Sequence, residues 1–150
     1  MEAEVEIAFH FNVADPVDYL CRLLRKASQA GMRALVCAPA MLARELDQAL
    51  WTFAPGEFIA HARWDDEERV RARSAVLIAD RPLEWPGVQV LVNLLALPEP
   101  PSGYANCRKV IEIVGLDPQD REAARRRWKA YTASGHALLR HDAAAPVGQT

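Results

Sequence analysis

Glycine is missing from FNVADPVD, the turn that follows the first predicted strand (residues 11–18). A dinucleotide fold needs glycines there so that the backbone can approach a pyrophosphate, so nucleotide binding in the usual mode is not expected. No Walker A sequence and no GxSxG elbow occur either, and Ser28, Ser74, Ser102 and Ser134 lie in no nucleophile motif. The four histidines, His10, His61, His136 and His141, pair with no other histidine or cysteine at a zinc spacing. His61 precedes Asp65 and Asp66, but a loop histidine beside a solvated acidic run explains that spacing better than half a metal site. The three cysteines, Cys21, Cys37 and Cys107, are scattered and odd in number, which suits reduced thiols in the cytoplasm. Cys37 has no basic neighbour in sequence and reads as a small buried residue rather than a nucleophile. No apolar run approaches a membrane span, and the acidic start MEAEVEIAFHF is no signal peptide. A net charge of -2 argues against coating nucleic acid through bulk charge. Neither a metal nor a cofactor is expected.

What the chain does have is an ordinary globular balance, 51% hydrophobic and 25% charged, enough for one domain with a real core. Val5, Ile7, Phe9 and Phe11 alternate as in a strand. Asp15-Pro16 opens a helix, with Asp as the capping residue and Pro in the first turn, and Gly31 closes it. Residues 33–37, 75–79 and 88–93 read as further strands, and Leu42, Leu46, Leu50 and Phe53 as the stripe of a second helix. Residues 63–73 carry charges that look solvated. Tyr104, Cys107, Val110, Ile111 and Val114 fit a third helix ended by Gly115. Asp117-Pro118 starts a fourth, running to about Ser134. Alternating strands and helices imply an α/β, Rossmann-like domain over residues 1–140, with a mostly parallel sheet of four or five strands and helices on both faces. Residues 141–150 read as a disordered tail.

Two surfaces stand out. The block LDQALWTFAPGEFIAH (residues 46–61) places Trp51, Phe53 and Phe58 around a Pro55-Gly56 break. Leu46, Leu50 and Phe53 belong to a core stripe, whereas Trp51 sits one step off it and Phe58 lies beyond the turn. These two fit either a protein contact or a small second core beneath the loop. The fourth helix sets Arg121, Arg125 and Lys129 four residues apart on one stripe, bordered by Ala124, Trp128 and Tyr131. Tyr131 reads as core. The cationic row fits a solvated face or a surface for an acidic peptide with a hydrophobic end. A nucleotide-dependent α/β enzyme and a direct single-stranded DNA-binding protein are the alternatives from other classes.

The short opening strand, GMRALVCA, the LDQALWTFAPGEFIAH block, LVNL and RRRWKAYTASGHAL, in this order and spacing, resemble the chi subunit family of the bacterial DNA polymerase III holoenzyme. The resemblance covers most of the chain and implies a non-catalytic clamp-loader accessory protein. It implies one partner in the acidic C-terminal tail of single-stranded DNA-binding protein, met by positions matching Val114, Arg121, Arg125, Trp128 and Lys129. It implies a second partner, the psi subunit of the clamp loader or a helicase, met by positions matching Trp51 and Phe58. Trp128 stands where a tyrosine is familiar in that family.

Overall fold

The computed structural model describes residues 4–52 and 59–144. Among them, seven strands form one sheet in the order β3-β4-β2-β5-β6-β1-β7, with every neighbouring pair parallel. The strands are β1 (Glu6–Phe11), β2 (Ala34–Cys37), β3 (His61–Arg63), β4 (Val76–Ala79), β5 (Val90–Asn93), β6 (Lys109–Ile113) and β7 (Leu138–Asp142). The helices are α1 (Pro16–Gln29), α2 (Ala40–Thr52), α3 (Glu68–Arg73) and α4 (Pro118–Ala133). The α/β class and the two-sided helix cover agree with the reading of the sequence, but the sheet has seven strands rather than four or five.

The side-chain alternation of each strand divides the core in two. Ala34, Val36, Val76, Ile78, Val90, Val92, Ile111 and Ile113 face α1 and α2, where Leu20, Leu24, Leu46 and Leu50 cover them. Ile7, Phe9, Leu35, Leu77, Leu91 and Val110 face the other way, against Tyr131 and Ala124 of α4 and Trp85 of a loop. Strands buried on both faces need continuous apolar runs, which is why ALVC, VLIA and VLVN carry no alternation. α1 starts as expected: the Asp15 side chain accepts from the backbone N–H of Asp18 at 3.1 Å, and Pro16 follows it.

Two expectations need correction. Residues 109–113 form β6, not part of a third helix. The apolar spacing through Val114 fits a helical stripe, but the β-branched run KVIEI packs on both faces as an inner strand. A single 3₁₀ turn, Tyr104–Asn106, is all the helix that precedes it. The charges of 63–73 are mostly exposed, as read, and the segment also holds α3 and the end of β3, a three-residue edge strand too short to show a period. Finally, His141 and Asp142 are not tail but part of β7, which pairs with β1 from Ile7↔Leu138 to Phe11↔Asp142. Backbone pairing with β1 supports this edge strand although Leu139 is 53% exposed. Residues 145–150 lie outside the described residues.

Candidate functional site

At the β1–β7 edge of the sheet, α4 and the strands enclose a groove of about 580 Å³. Its helical wall is set by the start of α4, where the Asp117 carboxylate accepts from the backbone N–H of Gln119 at 2.7 Å and Pro118 fills the first helical position. Gly135, at φ 92°, ends the helix in a left-handed turn and lets the chain reverse into β7. The floor is apolar: Phe9, Phe11, Val114, Ala124 and Trp128 line it. Phe9 packs its ring 5.0 Å from Trp128 and edge-on to Tyr131 at 5.9 Å. The rim is cationic, with Arg121, Arg125 and Lys129 from α4 and Arg140 from β7.

Val114, Arg121, Arg125, Trp128 and Lys129, separated by up to a turn or more of helix and a loop, thus converge on one groove. Trp128 is half-buried, and its neighbours Ala124 and Tyr131 are core, as the helical stripe requires. Arg125 bonds Glu122 at 3.2 Å on an exposed surface, a weak contact that a stronger anion can displace. Lys129 forms no ion pair with the described residues.

Sequence reasoning missed three members of this region. Asn12 sits at φ 61°, a left-handed conformation that asparagine tolerates better than most residues. Its amide donates to Asp142 at 3.0 Å and accepts from Arg121 at 2.9 Å, so one side chain ties the end of β7 to α4. Hydrogen bonds from Asn12 and from the Ala144 backbone hold the Asp142 carboxyl below its ordinary pKa. Arg140 was hidden because residues 136–140 were assigned to no element; its guanidinium lies 4.9 Å from the Phe11 ring centre and 6.0 Å from that of Trp128.

Arg127 is the third. In sequence it looks like one more surface arginine beside Arg126, yet it is 2% exposed and lies under α4. Its Nε donates to Glu112 at 2.9 Å and its Nη1 to the Leu97 carbonyl at 2.8 Å. Tyr131 donates to the other Glu112 oxygen at 2.7 Å, and Asn93 to the first at 3.0 Å. Burial raises the Glu112 pKa against the pull of Arg127 and these donors. Burial and Glu112 also push the Tyr131 hydroxyl up, keeping it a donor. The helix that forms the groove wall is therefore anchored by a buried, fully partnered ion pair.

Trp51 lies elsewhere. It ends α2, which covers the opposite face of the sheet from α4, and is 62% exposed. Its ring centre is 4.7 Å from that of His61. His61 is no loop residue beside Asp65 and Asp66: it is buried at the start of β3, donates from Nδ1 to the Ile59 carbonyl at 2.8 Å, and sets Nε2 3.2 Å from Asp47. Phe58 lies outside the described residues.

The thiols are poor nucleophiles. Burial, reinforced by Glu112, pushes Cys37 up to about 12, and burial beside Asp18 and Asp15 takes Cys21 to about 11. Among the described residues no group of three His, Cys, Asp or Glu side chains could hold a metal ion, and no helix is long and apolar enough to cross a membrane.

Residues 5–139 match the family model described as DNA polymerase III chi subunit, HolC. The chain belongs to the DNA polymerase III chi subunit family. It is 34% identical over 132 residues to the DNA polymerase III subunit chi of Pseudomonas aeruginosa, covering 85% of this chain and 89% of that one. Family membership gives it an accessory role in DNA replication. Solved structures add a likeness of fold alone. The S. cerevisiae Dbp5 C-terminal domain bound to Gle1 and IP6 matches with a TM-score of 0.58 at 16% identity, over 95% of this chain and 92% of that one. The C-terminal domain of the DEAD-box protein Dbp5 matches with a TM-score of 0.59 at 19% identity, over 93% of this chain and 91% of that one.

Proposed function

We propose that this chi-family protein is a non-catalytic tether. It holds the acidic C-terminal tail of single-stranded DNA-binding protein in the α4–β7 groove and so links the clamp loader of DNA polymerase III to coated single strands. The observation that carries this reading is the groove itself: an apolar floor of Phe9, Val114 and Trp128 beneath a rim of Arg121, Arg125, Lys129 and Arg140. An acidic peptide ending in a hydrophobic residue places its carboxylates at the rim and its last side chain on the floor. Exposed charges give modest contacts, weakened by salt. Many tails along one strand multiply them by raising the local concentration of the polymerase machinery.

The test is titration of a fluorescent tail peptide. Arg125→Ala should weaken binding about five- to tenfold, the scale of one lost charge-assisted contact. Affinity equal to the wild type would overturn the reading. An oligonucleotide titrated in parallel should show no tight binding, in keeping with the net charge of -2.

A second reading rests on the 62% exposure of Trp51, an aromatic anchor on the face opposite the groove. It assigns Trp51, with Phe58, to the psi subunit of the clamp loader or to a helicase. Trp51→Ala should abolish co-purification of that partner while leaving tail-peptide affinity intact. Retention of every clamp-loader and helicase component by Trp51→Ala would rule this assignment out.

A further inference from the structure

We infer that Arg140, on strand β7, is a peptide-binding residue of the groove: it contacts a carboxylate of the bound tail from the wall opposite α4. The inference rests on the tail-binding reading and extends it to a residue outside the basic helix.

The four rim cations are not equivalent. Arg121 bonds Asn12 at 2.9 Å, Arg125 makes its weak, exposed contact with Glu122 at 3.2 Å, and Lys129 is a point charge with no ion pair among the described residues. The Arg140 side chain is exposed and forms no ion pair or hydrogen bond with the described residues; its guanidinium lies over the rings of Phe11 and Trp128, 4.9 and 6.0 Å from their centres. A guanidinium laid over aromatic faces keeps its in-plane N–H groups free for an acceptor while losing rotational freedom in advance. Its position is fixed by the sheet as well. Arg140 pairs with Phe9 in the β1–β7 register, which turns its side chain to the same face as the groove floor. The Asn12–Asp142 bond two residues on holds that end of β7 in place. A carboxylate entering the groove thus finds a preorganised fork on the strand side and the α4 cations on the other.

The experiment measures the tail peptide's affinity for the full chain carrying Arg140→Met or Arg140→Lys. Methionine keeps an apolar stem over Phe11 and removes the charge. It should weaken binding about fivefold and reduce the salt dependence of affinity, with an unchanged Tm. Lysine should recover part of the loss at low salt but not the wild-type affinity, because it cannot form the fork. Wild-type affinity in Arg140→Met, alongside a clear loss in Arg125→Ala, overturns the inference and leaves the tail-binding reading standing. Absence of peptide binding by the unmodified protein overturns both. Loss of affinity with a lowered Tm that Arg140→Lys does not share would assign Arg140 to groove architecture and likewise overturn it.

Discussion

Glu112 can carry its charge in the middle of the sheet because Arg127, Tyr131 and Asn93 all donate to it. Breaking such a pair leaves an uncompensated charge away from water. Glu112→Ala should therefore lower the unfolding free energy by about 3–5 kcal/mol in a denaturant titration. Tyr131→Phe removes one donor and should cost about 1–3 kcal/mol, with the aromatic packing on Phe9 retained. If Glu112→Ala unfolds at the same denaturant midpoint as the parent, the ion pair does not anchor α4. At this scale the sequence was readable where a pattern governs burial. The i,i+4 row and its apolar neighbour correctly separate Arg121, Arg125 and Lys129 from Ala124 and Tyr131. It was opaque for Arg127, because the carboxylate that justifies burying it comes from a strand distant in sequence. Its spacing, three residues after Ala124 and four before Tyr131, does set it on the core side that Arg126 avoids, but an arginine there has no partner visible in the local sequence.

Elements were legible where their ends carry caps. Asp15-Pro16 and Asp117-Pro118 begin α1 and α4 as read, and each aspartate accepts a backbone N–H in the first turn. Asp117→Ala should cost about 1 kcal/mol of stability, seen as a lower Tm, and should loosen the N-terminal part of the groove wall where Arg121 sits. Elements defined by pairing rather than by period were not legible. β6 carries apolar residues on both faces and so fits a helical stripe as well as a strand. β3 and β7 are edges whose existence depends on hydrogen bonds to β4 and β1. The omission of β7 also concealed Arg140, so an error about an element became an error about the site.

For the molecule as a whole, the sheet separates two surfaces: α4 and the groove on one face, α2 with Trp51 on the other. On the proposed reading two partners would be held at once without competing: Arg125→Ala should weaken tail binding about five- to tenfold and Trp51→Ala should abolish the other contact, each sparing its counterpart. Stability should also depend on pH through His10. Burial, with His141 and Lys109 nearby, lowers its pKa from about 6.5 to about 4. Above 6.5 the imidazole is neutral in both states. Between 6.5 and 4 the unfolded chain takes up a proton that the folded one refuses, so stability falls as pH drops through that window. Tm measured from neutral pH to about pH 4.5 should decline less in His10→Gln than in the parent; equal declines would exclude His10 as the source.

Asn12 reaches Asp142 across 130 residues and Arg121 across 109. During synthesis, then, the first strand must wait for almost the whole domain before its groove exists. A nascent or truncated chain ending before β7 would lack the strand wall, whatever helices it had already formed. If the groove holds the tail as proposed, tail binding would serve as a certificate of completed folding, withheld from unfinished copies without any separate inspection step.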